Sequence, residues 1–295
     1  MKKILIVTLI LCLPPMLAGC SHRRSSSDEH SENIFTDDYG RNVAVPLSPT
    51  RIVSTSPAIT EIVFALGAED LLVGRTDFCT YPPATQHIES IGGISNLNVE
   101  KILSLKPDLV LSGSMIPKKS TLQMEKMGVP TVCIIEQQQF DGLYHNIAKI
   151  GSLIGRSSAA DSLIRKIKLS ASQILNRPQK EPPTVYYVVG FGPSGNFTAG
   201  GNSFINDIIT MAGGQNLAAH ITGWSYSLES LLQENPHYIV IRKEDSATFC
   251  NTAPYNKLKA VRENRVIGIE SGTIDIQVPR NIEAITVIHQ RISHQ

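Results

Sequence analysis

Gly190, Gly192 and Gly195 spell G-x-G-x-x-G directly after a β-like run, a spacing that can bring a dinucleotide's pyrophosphate onto the amides at a helix start. That chemistry needs the helix to open within the glycines, and an acid about twenty residues further on at the tip of a second strand. Here Pro193, Asn196 and Gly200-Gly201 postpone the helix to Ser203, and Asp207 falls too early, inside it. The loop is read instead as a cleft lining in which backbone comes close to a bulky ligand. Nucleophilic and acid–base chemistry find no better footing. The eight histidines are scattered, no Gly-x-Ser-x-Gly elbow exists, and Gly201-Asn202-Ser203 begins a helix rather than a strained turn. Cysteines and histidines do not fall into a zinc-ligand pattern. No enzyme activity, resident metal or cofactor is expected.

Binding residues are better represented. Phe78, Tyr81, Phe191, Phe197, Trp224 and Tyr226 fall in expected loops, beside small hydroxyls such as Ser112, Ser114 and Thr198. A neutral aromatic lining suits a large, flat, weakly charged ligand. A second signal is a repetition. Val99-Glu100-Lys101-Ile102 running into Pro107-Asp108-Leu109-Val110 reappears in outline as Leu228-Glu229-Ser230-Leu231 running into Pro236-His237-Tyr238-Ile239. Asn98 and Ser227 fit as N-caps, which puts Glu100 and Glu229 in first turns, where the helix dipole favours a carboxylate. The recurrence of the acid suggests a further use, one charge per half, available to a partner that meets both.

The elements around these residues alternate between short apolar β-like runs and amphipathic helices. Strands are expected over 51–54, 71–74, 108–111, 131–135, 184–189, 238–241 and 266–269, and helices over 59–66, 99–105, 121–127, 204–212, 228–233, 255–261 and 281–292. Such alternation implies α/β architecture with mainly parallel sheets covered on both faces, ligand contacts sitting on loops that leave the strands' carboxyl ends. Leu143, Ile147, Ile150 and Ile154, continued by Leu163, Ile164 and Ile167, predict one long helix over 141–177, with Gly151 and Gly155 as flaws or a bend. The organisation follows: an N-terminal lobe over 34–140, this spine, and a C-terminal lobe over 178–295.

The N-terminus reads as an export signal. Lys2 and Lys3 precede an apolar run too short to span a bilayer, and Leu17-Ala18-Gly19-Cys20 ends on a cysteine at the cleavage point. Residues 1–19 are expected to be a removed leader, Cys20 to carry a lipid, and 20–33 to be a polar tether. With 27 basic against 26 acidic residues the chain offers no nucleic-acid surface. Cys133 is expected in the core. Cys79 and Cys250, in polar segments, leave a disulfide open.

Arg51-Ile52-Val53-Ser54 through Thr60-Glu61-Ile62, Phe78-Cys79-Thr80-Tyr81-Pro82-Pro83 and Asn98-Val99-Glu100 through Pro107-Asp108-Leu109 resemble the solute-binding proteins of ABC importers for vitamin B12, ferric siderophores and haem. The resemblance runs from about Ile34 to the C-terminus and implies two α/β lobes joined by a long helix, a class III periplasmic binding protein. It implies that Glu100 and Glu229 dock onto the permease of a complex driven by its ATPase, in a monomeric, periplasm-facing protein held to the membrane by the lipid on Cys20. The vitamin B12 receptors are the most similar branch: Phe78 and Trp224 match cobalamin-contacting aromatics, Ile94 stands where an aromatic would, and no acid stands beside Gly272. A corrinoid is thus the expected ligand. Anionic ferric siderophores would want arginines, with Arg75, Arg242 and Lys243 the candidates, and haem would want an axial group, with Tyr81 the candidate. An adhesin or structural lipoprotein would leave the cleft aromatics without a role.

Overall fold

The computed structural model describes residues 32–175 and 181–293. The expected leader, the lipidation site Cys20, most of the tether and the last two residues of the expected spine lie outside the described residues. Among the described residues no helix is long and apolar enough to cross a membrane.

The chain opens with an antiparallel hairpin, β1 (Glu32–Thr36) and β2 (Asn42–Pro46). The tether therefore stops short of Glu32 and Asn33, whose backbones pair with Pro46 and Val45 despite their polar side chains. Then come β3 (Ile52–Ser54), α1 (Pro57–Ala65), β4 (Leu72–Arg75), α2 (Val99–Ser104), β5 (Leu109–Gly113), α3 (Lys118–Lys126) and β6 (Thr131–Ile134). These strands form an all-parallel sheet of order β4-β3-β5-β6. Both faces are covered, so β5 and β6 are buried along their whole length.

After two helices, α4 (Asp141–Leu153) and α5 (Ser157–Leu175), the pattern repeats. It runs β7 (Thr184–Val188), α6 (Phe204–Met211), β8 (Gln215–Asn216), α7 (Leu228–Glu234), β9 (Tyr238–Arg242), α8 (Lys243–Asn251), α9 (Lys259–Arg262), β10 (Val266–Ile269) and α10 (Asn281–Ser293). The second parallel sheet has the order β8-β7-β9-β10, the same succession as the first counted within its own lobe. The repetition read in the sequence is a repetition of topology.

The single spine over 141–177 is corrected. Gly155 adopts φ +68°, a left-handed conformation that ends α4, and α5 starts afresh at Ser157. α4 packs against α1 of the N-terminal lobe, while α5 lies against α4 on one side and α6 and α10 on the other. The bridge is α5 alone, 19 residues and roughly 28 Å at 1.5 Å per residue. The expected helix over 255–261 is likewise broken, because Leu258 is extended between a 3₁₀ turn at Tyr255–Lys257 and α9. α8 and the two-residue β8 carry too little apolar periodicity to have been foreseen.

One apolar cluster runs through both lobes. It joins Ile52, Leu109 and Val132 under the first sheet to Ile147 and Ile167 of the connecting helices and on to Val185, Val240 and Ile285. The C-terminal lobe's glycine-rich segment is held by backbone. Thr198 N–H donates to Trp224 O (2.7 Å), Gly200 N–H to Gly223 O (3.0 Å) and Gly201 N–H to Ile221 O (3.0 Å). A Cβ on Gly201 would come within 2.1 Å of Ala219 O, so only glycine lets these two stretches lie together. Gly201→Ala is expected to lower stability by about 1–3 kcal/mol, read as a fall in the urea midpoint, and to blue- or red-shift the emission of Trp224, which this ladder positions.

Candidate functional site

Loops at the carboxyl ends of both sheets converge on a cleft of about 670 Å³, where such sheets bind ligands. The N-terminal lobe contributes Thr55 and Ser56 after β3, Phe78, Thr80, Tyr81 and Ile94 after β4, Gly113, Ser114 and Met115 after β5, and Glu136 after β6. The C-terminal lobe supplies Val189, Trp224, Arg242, Gly272, Asp275 and Arg280. Phe78, Tyr81 and Trp224 are 59%, 43% and 49% exposed. Aromatic faces that open to solvent are available to a ligand rather than spent on the core.

Four expected ligand-binding residues thus line the cleft: Phe78, Tyr81, Ile94 and Trp224. The other four do not. Ser112 is fully buried one residue before Gly113, the strand's alternation turning its side chain inward. Phe191 packs edge-on against Phe249 and Tyr255, with centroids 5.1 and 5.7 Å away. Tyr226 is 6% exposed, stacked near Tyr186 and donating to Glu234 Oε1 at 2.9 Å. Phe197 bridges Gly190 and Ser225 outside the lining. The glycine loop Gly190 to Gly195 folds back with it, Gly192 N–H donating to the Tyr255 hydroxyl at 2.9 Å, so it does not line the cleft as expected.

The expectation of a neutral lining is also corrected, for five charged residues reach the cleft: Glu61, Glu136, Arg242, Asp275 and Arg280. Glu61, on α1, meets Arg280, just before α10, in a two-pronged pair: Nε to Oε2 at 2.7 Å and Nη2 to Oε1 at 2.9 Å. Burial pushes the Glu61 carboxyl above its ordinary range, and the bonds and charge of Arg280 pull it part of the way back. Burial works against the charge of Arg280, but Glu61 outweighs it and holds the guanidinium charged. Arg280 also lies 4.0 Å from the centroid of the Tyr81 ring, a cation–π stack. Arg242 Nε donates to Asp245 Oδ2 at 2.8 Å. The Tyr187 hydroxyl donates to Asp275, and burial, with the Asp275 charge, keeps that phenol protonated. Among the other candidate cations, Arg75 turns to the carbonyls of Thr85 and Thr76, and Lys243 is exposed and paired with Glu270. Among the described residues no histidine lines the cleft.

Two more contacts lock the lobes. Gln277 accepts from Gln137 N–H at 3.1 Å and donates to the carbonyls of Gln137 (2.9 Å) and Gln139 (2.7 Å), and Asp207 accepts from Phe140 N–H at 2.8 Å. The pairing of Glu61 with Arg280 and the bonds of Gln277 carry no signal in the sequence, since the partners lie far along the chain.

Cys79 and Cys250 do not pair: all three described cysteines are free. Cys79 is buried with Sγ 3.2 Å from both Thr60 Oγ1 and Thr76 Oγ1, while Cys250 packs within the C-terminal lobe. Cys133 is in the core as expected.

Glu100 and Glu229 are exposed in the first turns of α2 and α7. Asn98 accepts from Lys101 N–H at 2.9 Å and Ser227 from Ser230 N–H at 3.3 Å, so both caps form. Helices that cross between parallel strands start at the strands' carboxyl edge, which puts both acids on the cleft-bearing edge of their lobes.

Two lobes of one topology, a single bridging helix and a ligand-sized cleft at their carboxyl edges define a class III solute-binding protein. The sequence model of the periplasmic binding protein family matches residues 52–273, and the chain belongs to that family, whose members are non-enzymatic transport components. It is 29% identical to the ABC transporter substrate-binding lipoprotein YvrC of Bacillus subtilis over 99% of this chain and 97% of that protein. It is 29% identical to a cobalamin-binding protein of Halobacterium salinarum, over 88% and 74%. Among solved structures, the periplasmic haem-binding protein RhuT of Roseiflexus sp. RS-1 superposes with a TM-score of 0.71 at 26% identity, covering 82% of this chain and 98% of that one.

Arg280→Met strips Glu61 of the neighbour that lowers its pKa, so that pKa rises further above the unfolded value. A carboxyl shifted this way adds stability below its unfolded pKa and loses it as pH climbs through the folded one. The variant is expected to lose about 3 kcal/mol near neutral pH, and the deficit should shrink toward pH 5 as Glu61 takes up a proton. Urea unfolding at the two pH values checks both size and sign.

Proposed function

We propose that this protein captures a corrinoid, vitamin B12 or a related cobamide, in the interlobe cleft and delivers it to an ABC permease. The observation that carries this reading is the charge balance of the lining: three acids against two arginines, each arginine already held by a carboxylate. Among the described residues such a cleft has no free cation for a ligand rich in carboxylates, whereas a corrinoid offers a broad apolar ring and a rim of neutral amides. Phe78 and Tyr81 from one lobe and Trp224 from the other supply the apolar contact. The cobalamin-binding relative agrees with this assignment.

Transport then needs no covalent step. Cys20 carries the lipid that holds the monomeric protein at the outer face of the membrane, and the loaded lobes present Glu100 and Glu229 to arginines on the two permease subunits. The inter-lobe bonds of Gln277, Asp207 and Arg280 restrict closure to a few degrees.

Haem is the second reading, favoured by one feature. Arg280 stacks over the ring of Tyr81 in the cleft, and tyrosine is a known axial ligand of haem iron.

Titration of residues 21–295 with cyanocobalamin decides between them. Saturable one-to-one binding is expected, with quenching of the emission of Trp224, the only tryptophan, and Trp224→Ala should weaken affinity by about 30-fold. Absence of binding, with a hemin complex whose charge-transfer band is lost in Tyr81→Phe, would move the assignment to haem. Glu100→Ala combined with Glu229→Ala is expected to abolish uptake while leaving corrinoid affinity unchanged; undiminished uptake would exclude the docking role.

A further inference from the structure

Each charged residue of the cleft except one already has its hydrogen bonds committed. Glu61 and Arg280 hold each other, Arg242 is held by Asp245, and Asp275 accepts from the Tyr187 hydroxyl. Glu136 is the exception. Its carboxylate is half-buried in the lining and has neither a hydrogen bond nor an ion pair among the described residues. Burial alone pushes its pKa up, with no neighbouring group to offset the effect.

The backbone on both sides of it is nonetheless pinned. Ile135 N–H donates to Asp38 Oδ2 at 2.7 Å, Ile135 O accepts from Asn146 Nδ2 at 3.2 Å, and Gln137 N–H donates to Gln277 Oε1 at 3.1 Å. Asp38 is in turn bonded to Lys149 of α4, and Gln277 belongs to the opposite lobe. The chain thus spends bonds from three segments on fixing a residue whose carboxylate has no partner among the described residues. A half-buried carboxyl held in a cleft wall without a protein partner is the kind of group that binding sites use. Its lone pairs face whatever enters the cleft.

We propose that Glu136 determines specificity in this cleft by accepting a hydrogen bond from a ligand N–H, the primary amide of a corrinoid side chain, and by repelling ligands that carry a carboxylate in the same place. The proposal rests on the cleft being the ligand site and deepens that reading. The asymmetry between an amide and an acid at one position is large, because the wrong partner leaves two like charges facing each other out of water.

The test compares cyanocobalamin with its monocarboxylic derivatives, in which one side-chain amide has been hydrolysed, by calorimetry near neutral pH on wild type, Glu136→Gln and Glu136→Ala. Wild type is expected to favour the amide over at least one monocarboxylate by about ten-fold or more. Glu136→Gln, similar in shape but able to donate, should bring that ratio close to one, whereas Glu136→Ala should weaken the parent ligand without that recovery. A preference that is unchanged in Glu136→Gln overturns the proposal. If wild type binds hemin and not cyanocobalamin, the corrinoid reading fails but this one is still tested. Glu136→Gln should then tighten hemin several-fold by relieving repulsion of a propionate, and unaltered hemin affinity overturns it.

Discussion

The ion pair of Glu61 with Arg280 sets the geometry on which the rest of the molecule depends. Among the described residues it is the ion pair by which a side chain of each lobe grips the other in the cleft, and with side chains 5% and 12% exposed it does so largely out of water. Burying two charges costs free energy that their attraction barely returns, so such a pair contributes more to uniqueness than to stability. Here uniqueness means one angle between the lobes. Any other angle would leave a buried carboxylate facing nothing, and the stack of Arg280 on Tyr81 ties an aromatic wall of the cleft to the same bond.

Around that pair the fold is economical in its logic. Two sheets with one strand succession point their carboxyl edges at a shared gap, and most cleft residues sit just beyond the end of a strand. Gln277 and Asp207 close the seam by bonding backbone rather than side chains of the other lobe. Backbone partners are insensitive to substitution, so this part of the seam tolerates drift on one side.

The lobes and their strands were legible because parallel, doubly covered strands are uniform apolar runs between caps and prolines. Asn98 and Ser227 announce their helices in the same local way. Phe78, Tyr81 and Trp224 were legible because a loop aromatic after a strand has few places to go except the cleft. Phe191, Phe197 and Tyr226 obey the same local description and fail it, since their neighbouring glycines let the chain turn back upon itself. Ser112 fails by a single residue of strand register. Gly155 was visible as a flaw in the helical stripe, but a glycine in a helix and a glycine that ends one differ only in φ. The charged floor was invisible for a different reason: Glu61 and Arg280 are 219 residues apart, and no local pattern encodes who meets whom across that distance.

The apolar cluster that passes from the first sheet through α4 and α5 into the second has a thermodynamic meaning that the two-lobed outline conceals. Lobes with private cores would melt independently, each with its own transition. Each lobe keeps a smaller cluster of its own, but the core held in common limits that freedom, because loosening either lobe exposes surface belonging to the other. Geometrically there are two lobes, but the shared core ties their unfolding together.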